Sequence, residues 1–282
     1  MVLKGLVMRF FIVTVMFFVL LTISIGIGGW KVYAEQRITD FYLSNVKEDG
    51  TRDWEVKGEE AIIHDDYVDI EDMEANYYPE GDTILITSNK ARINKNNMDV
   101  ELKEDVHVEN EDGATLVTDS LNWQREKNYI ETKDWVKTTK DTMQITATGM
   151  TADTQLKDAD FLKDVEVKFS DIENDDVGTA SCSGPLEIEY SKGIATFNKD
   201  VVFVKKEGKL FCDKATFFLD KESKGIIKVV AVGNVKIVRG ENITFSEKAT
   251  YYDKGQRMVL EGRPRVIYYP QEGDNSGSFF GS

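Results

Sequence analysis

Through most of the chain, apolar and polar residues alternate with a period of two. Met98, Val100 and Leu102 alternate with Asp99 and Glu101; Met143, Ile145 and Ala147 alternate with Gln144 and Thr146. Val165, Val167 and Phe169 enclose Glu166 and Lys168, and Leu186, Ile188 and Tyr190 enclose Glu187 and Glu189. A strand projects successive side chains to opposite faces, so each segment predicts a strand with one apolar and one polar face. Turn signals separate the segments: Glu48-Asp49-Gly50, Asn94 to Asn97, Glu111-Asp112-Gly113, Lys206-Glu207-Gly208 and Lys254-Gly255. No good amphipathic helix is found beyond residue 38.

The pattern repeats. A polar turn ending in Asp or Asn is expected to feed a strand that begins with Val, at Asp105-Val106, Asp164-Val165, Asp200-Val201 and Asn234-Val235, with looser copies at Val136 and Val266. These valines are 29 to 36 residues apart, and a second series, Ala61, Ala91, Leu121, Met150, Leu186, Ala215 and Ala249, keeps step with them. Short strands repeating at such a period predict a stack in which each unit buries its face on the next. The longest step in both series brackets the polar stretch 171–176, which predicts a boundary between two units near 172–178.

The first segment has a different character. Lys4 and Arg9 precede Phe10 to Gly29, an uncharged run long enough to cross a bilayer as a helix. The basic flank predicts a cytoplasmic N-terminus and export of the rest. A signal peptide cleaved after Ala34 is the alternative. Residues 35–176 hold 37 acidic and 16 basic side chains, against 13 and 16 in 177–282, so the halves are expected to face different neighbours. A net charge of −15 argues against nucleic acid as a partner.

Candidate chemistry is sparse. His64 and His107 show no catalytic arrangement and are too few for a typical zinc site, so no catalytic residue, metal or cofactor is assigned. Asp65, Asp66, Asp69, Glu71 and Asp72 lack EF-hand spacing and read as a solvated face rather than a calcium site. Lys205, Lys206 and Lys209 read as a solvated turn, with contact to lipid phosphates as the alternative. Cys182 and Cys212 lie one repeat apart, and export would permit a disulfide; the register leaves it open.

Leu102-x-x-x-Val106, Ala147-Thr148-Gly149-Met150 and Val165-Glu166-Val167, behind an N-terminal anchor, resemble the LptC family of the lipopolysaccharide-transport bridge. Ala231-Val232-Gly233-Asn234-Val235 and Leu260 to Val266 resemble the LptA/OstA family. The resemblance implies an all-β protein: two tandem OstA-like twisted β-jellyroll modules of antiparallel strands after a transmembrane helix. The expected layout is an anchor over 1–34, an LptC-like module over 35–172, an LptA-like module over 178–270 and a disordered tail over 271–282. It further implies a periplasmic location on the inner membrane and lipopolysaccharide acyl chains as cargo. The implied partners are an inner-membrane ABC transporter permease and an LptA-like or outer-membrane OstA-like module joined through edge strands. On that view the strands near 41–46 dock onto the permease and those near 257–269 extend the next module's sheet. The alternative for the latter is an ordinary edge protected by Arg257, Arg263, Pro264 and Arg265.

The candidate groove lining is Val100, Leu102, Val106, Val108, Leu121, Trp123, Ile145, Val165, Val167, Leu186, Ile188, Val201, Phe203, Phe217, Val235, Ile237, Val266 and Tyr268. The same residues would also form a closed, dry core, and it is the open geometry implied by the resemblance that favours a groove. A membrane-anchored structural solenoid or adhesin without lipid cargo is the competing functional class.

Overall fold

The computed structural model describes residues 36–79, 82–154, 158–171, 176–220, 225–254 and 257–269. The expected membrane anchor, the centre of the expected boundary and the tail lie outside them. Among the described residues no helix is long and apolar enough to cross a membrane.

Seventeen strands among the described residues form one antiparallel sheet. They are β1 (Gln36–Val46), β2 (Arg52–Ile63), β3 (Tyr67–Tyr77), β4 (Ile84–Asn94), β5 (Val100–Asn110) and β6 (Thr115–Gln124). A 3-10 turn, Arg125–Lys127, leads to β7 (Tyr129–Lys140), β8 (Met143–Asp153), β9 (Asp158–Asp171), β10 (Asp176–Cys182), β11 (Leu186–Glu189) and β12 (Ile194–Lys205). The last are β13 (Gly208–Leu219), β14 (Ile226–Arg239), β15 (Asn242–Tyr252), β16 (Arg257–Glu261) and β17 (Arg265–Ile267). Most strands pair with their sequence neighbours. β1, paired with β2, is one edge, and β16 and β17, both paired with β15, are the other. At the expected boundary the ladder continues. β10 and β11 together do the work of one strand, each lying between β9 and β12.

The alternating pattern fixes which side chains share the inner face, and the registers arrange them in four rows that run across the strands. The first row pairs Phe41 with Gly58, Met73 with Ser88, Val106 with Thr118 and then Val136 and Ala147. It continues with Val165 beside Cys182, Val201 beside Cys212, and Val235 beside Ser246. Large and small side chains alternate along it, so neighbouring strands interdigitate. Gly58 is the extreme case: an added Cβ would sit 2.9 Å from the Phe41 ring, from Ile70 and from the Glu71 carbonyl. The valine series of the repeat, Val266 apart, occupies this row on alternate strands. Ala61, Ala91, Leu121, Met150, Leu186, Ala215 and Ala249 occupy the second row in the same way. The repeat period is therefore two strands and two turns.

One expectation is corrected. Asp105-Val106, Asp164-Val165, Asp200-Val201 and Asn234-Val235 do not end turns; they lie in the middle of β5, β9, β12 and β14. Asp105, Asp164, Asp200 and Asn234 have φ of 52°, 50°, 54° and 48°. Asp and Asn tolerate the left-handed region better than other residues, so a β-bulge and a turn look alike in sequence. The registers shift at these points. Outside three of these bulges a polar bond ties the bulge to the preceding segment of chain. Asn89 donates to Asp105 at 3.2 Å, Ser183 to Asp200 at 2.7 Å, and Asn234 to Asp213 at 3.0 Å.

The bulges line up from strand to strand, and the sheet folds over along that line. The proof lies in the aromatic rings. Phe203 pairs laterally with Leu210, seven residues from Phe217 along β13. On a straight strand those positions would be about 23 Å apart at ~3.3 Å per residue. The Phe203 and Phe217 ring centroids are 5.7 Å apart. The two halves of each strand therefore face one another, with the first and second rows as the floor of the fold and the outer rows as its lips.

Candidate functional site

Among the described residues, the interior of this folded sheet gathers the predicted residues. Val106, Val165, Val201 and Val235 lie in the first row, and Leu102, Leu121 and Leu186 in the second. The third row, one lip, runs from Val56 and Ala75 through Ile86, Val108, Leu116, Thr138, Ile145, Val167 and Ala180 to Phe203. It goes on through Leu210, Ile237 and Thr244 to Val266. The fourth row, the opposite lip, includes Val100, Trp123, Ile130, Ala152, Ala159, Ile188, Ala195, Phe217 and Val229. Every candidate except Tyr268 falls on one of the four rows. Tyr268 is half-buried beyond β17.

The rows differ in access. Floor residues are sealed: Val106 is 0% exposed, and Val165, Leu186, Val201 and Val235 are each 1% exposed. On the lips, Val108, Phe203, Val100 and Trp123 are half-buried, and Ile145, Val167, Ile188, Phe217 and Ile237 are buried. The floor is a close-packed core, and only the lips offer apolar surface to a ligand while the fold stays shut. Val266 departs from expectation. It pairs with Thr244 in the third row rather than following Val235, and it is 57% exposed because no strand among the described residues pairs with the outer side of β17.

The interior does not break where the two modules were expected to meet. Val165 leads to Cys182, Phe161 to Leu186 and Phe197, Val167 to Ala180 and Phe203, and Ala159 to Ile188 and Ala195. One contiguous buried cluster extends from Leu116 to Ala249. A second, from Phe41 to Leu121, fills the N-terminal end, and Val108 packs against both.

Side chains bridge the mouth in two places. Near the N-terminal end, the Tyr77 and Trp123 rings lie 5.5 Å apart, and the Arg125 guanidinium reaches Asp53 across the fold at 3.7 Å. Farther along, Phe169 stacks on Phe203 at 5.6 Å, Phe203 meets Phe217, and Phe217 meets Phe197 edge-on at 5.4 Å. The candidate lining omitted Tyr77, Arg125, Asp53, Phe169 and Phe197. The Tyr77–Trp123 and Arg125–Asp53 contacts join positions that alternation and period place far apart, whereas Phe169 and Phe197 share the inner face with the residues of that lining.

Few polar atoms enter the interior. The Ser88 and Ser246 hydroxyls and the Trp123 indole N–H are buried there without a hydrogen-bond partner. Thr118 is satisfied by Thr132 and by the Trp135 carbonyl, at 3.1 and 2.9 Å. The possible Cys182–Cys212 disulfide is not formed, and both thiols are free and buried. The reason is the register. Ser181 pairs with Val202 and Val201 with Cys212, so β12 separates the two cysteines. Two strand spacings are about 9.5 Å, beyond the reach of a disulfide.

Outside, the acidic run is engaged in protein contacts. Asp69 accepts two bonds from Arg92 at 2.7 and 3.0 Å, and Arg92 lies over the Tyr67 ring at 4.2 Å. No group of side chains suited to a metal ion occurs among the described residues.

Two family models match the chain. Residues 73–169 match lipopolysaccharide-assembly, LptC-related, and residues 182–282 match the LptA/(LptD N-terminal domain) LPS transport protein. No curated protein matches the chain. The interval between the matches holds the end of β9 and nearly all of β10, where the ladder passes from one to the other without interruption. The chain is thus an LptC-type domain followed by an LptA-type domain, folded as one antiparallel sheet.

Proposed function

We propose that this protein is a lipid-carrying component of the lipopolysaccharide export bridge and performs no catalysis. It is held at the inner membrane by the segment before residue 35, with the sheet in the periplasm. It receives lipid from an inner-membrane ABC transporter and passes it along the apolar interior toward an LptA-like or outer-membrane OstA-like module. The observation that carries this reading is the continuity of the four apolar rows from β2 to β15, through the junction of the two matched domains.

The physical demand is simple. Exposing several acyl chains to water costs tens of kcal/mol, at about 25 cal/mol per Å². Contacts with Val, Ile, Leu and Phe shelter such chains without directional bonds, so the chains slide. The half-buried lips are where this contact begins, and deeper entry requires the lips to open. The edges suit the reading as well. β1 exposes Ile38, Tyr42, Leu43 and Val46, and the other edge exposes Val259, Val266, Ile267 and Tyr269. Each edge has unpaired backbone that a further strand extends. In the proposal β1 meets the permease and β16–β17 meet the next module.

Photo-crosslinking with purified lipopolysaccharide tests the carrier role. Probes at the lip residues Val108 and Leu210 should give lipid adducts, and probes at the sealed Val106 and Val235 should give far fewer. Adducts at none of the four, from a folded chain, would overturn the carrier reading and favour the structural solenoid.

A further inference from the structure

We propose that the Phe203–Phe217 contact is a gate, where an acyl chain must separate the facing rings to occupy the interior of the LptA-type domain. The inference rests on the carrier reading above and assigns its control point.

Three observations carry it. The contact joins the third row to the fourth, so it spans the mouth from lip to lip. It lies immediately past the junction, since Ala180 on β10 pairs with Phe203. It is also the middle of a string of rings, with Phe169 of the LptC-type domain stacked on Phe203 and Phe197 of the floor against Phe217. A chain advancing along the continuous rows reaches this string on leaving the first domain.

The chemistry of the contact suits an apolar ligand. The lateral neighbours of the two rings are Ala180, Leu210, Ala195 and Val229. Aromatic pairs of this kind are worth about 0.5–1.5 kcal/mol beyond the area they bury. Methylene groups sliding between the rings restore that burial, so opening is nearly isoenergetic when an acyl chain fills the gap and costly when water does. The N-terminal bridge differs, because it adds the Arg125–Asp53 ion pair to its rings, and a hydrocarbon chain cannot replace that pair.

The test uses the full chain with purified lipopolysaccharide and p-benzoylphenylalanine in place of either Val108 or Leu210. In a Cys182→Ala, Cys212→Ala background, Phe203→Cys and Phe217→Cys are joined by dibromobimane. A third protein carries p-benzoylphenylalanine at Ile237, the buried neighbour of Leu210 on β14. Joining the cysteines should lower the Ile237 adduct about tenfold and leave the Val108 and Leu210 lip adducts unchanged. The Phe203→Ala, Phe217→Ala pair should raise the Ile237 adduct. Circular dichroism of each variant establishes that the sheet is intact. An undiminished Ile237 adduct in the joined protein, or none at Ile237 in the unmodified protein while Val108 is labelled, would overturn the gate alone. Absence of adducts at all three positions in the unmodified protein would overturn the carrier reading and the gate with it.

Discussion

Cys182 and Cys212 flank Val201 from opposite sides, one on β10 and the other on β13. They occupy the small positions of the first row, equivalent to Ala147 and Ser246. Burial pushes both thiols up to about 11. The folded state thus holds the thiol protons more tightly than the unfolded chain, so stability is retained at neutral pH and declines as pH rises from about 9 toward 11. The folded protein should resist iodoacetamide at pH 8 and show no mass change with reductant, whereas denaturant should expose two reactive thiols. Prompt labelling without denaturant would refute the packing described for them.

Ser88 and Ser246 fill the same kind of slot with a hydroxyl that finds no partner. A buried unsatisfied polar group costs about 1–3 kcal/mol. Ser88→Ala and Ser246→Ala should therefore each stabilise the protein by roughly 1 kcal/mol in urea unfolding. Gly58→Ala should do the reverse, because its Cβ meets the Glu71 carbonyl and the Phe41 ring at 2.9 Å. Overpacking of this kind costs about 1–3 kcal/mol. Protease sensitivity of the N-terminal edge should rise with it, since Phe41 is the buried side chain of β1.

Glu59 and Asp72 are two carboxylates that meet between β2 and β3, beside the Glu60–Glu71 rung. The hydrogen bond with Asp72, the charge of Asp72, burial, and the charges of Asp40 and Glu71 all raise the Glu59 pKa. A carboxyl with a raised folded pKa binds its proton more tightly in the native state, so it favours folding at acid pH. That advantage is lost as pH climbs through the raised value. Glu59→Gln should therefore raise the melting temperature at pH 7, with a difference that shrinks as pH falls below the ordinary carboxylate range. A pH-independent difference would exclude the paired-carboxylate account.

The C-terminal edge allows a direct test of assembly. Removing residues 257–269 takes away β16 and β17 and leaves β15 as the edge. Pull-down of an LptA-type partner should be lost, while the LptC-type half keeps its circular dichroism. Unchanged capture would place the joint elsewhere and leave Arg257, Arg263 and Arg265 as protective charges on an ordinary edge.

The sequence by itself determined the strands, the turns at Glu48–Gly50 and Glu111–Gly113, the two interleaved apolar series and the kinship to both families. Alternation and spacing are local properties, and two strands with their turns impose a period that can be counted along the chain. All but one of the candidates that the sequence named lie on the inner rows, since a face of a strand is written in every second position. It misread Asp-Val and Asn-Val as turns, because the left-handed backbone that Asp and Asn tolerate serves a bulge as readily as a loop. Only the tertiary structure decided that the bulges align and fold the sheet. That alignment brings Phe203 onto Phe217 and Arg125 onto Asp53, and it seals Val106 and Val235 while leaving Val108 and Leu210 at the lips. It also decided that β12 keeps Cys182 from Cys212. Such relationships depend on register summed over many strands, where a shift of one residue reverses the face, and no short window of sequence contains that sum.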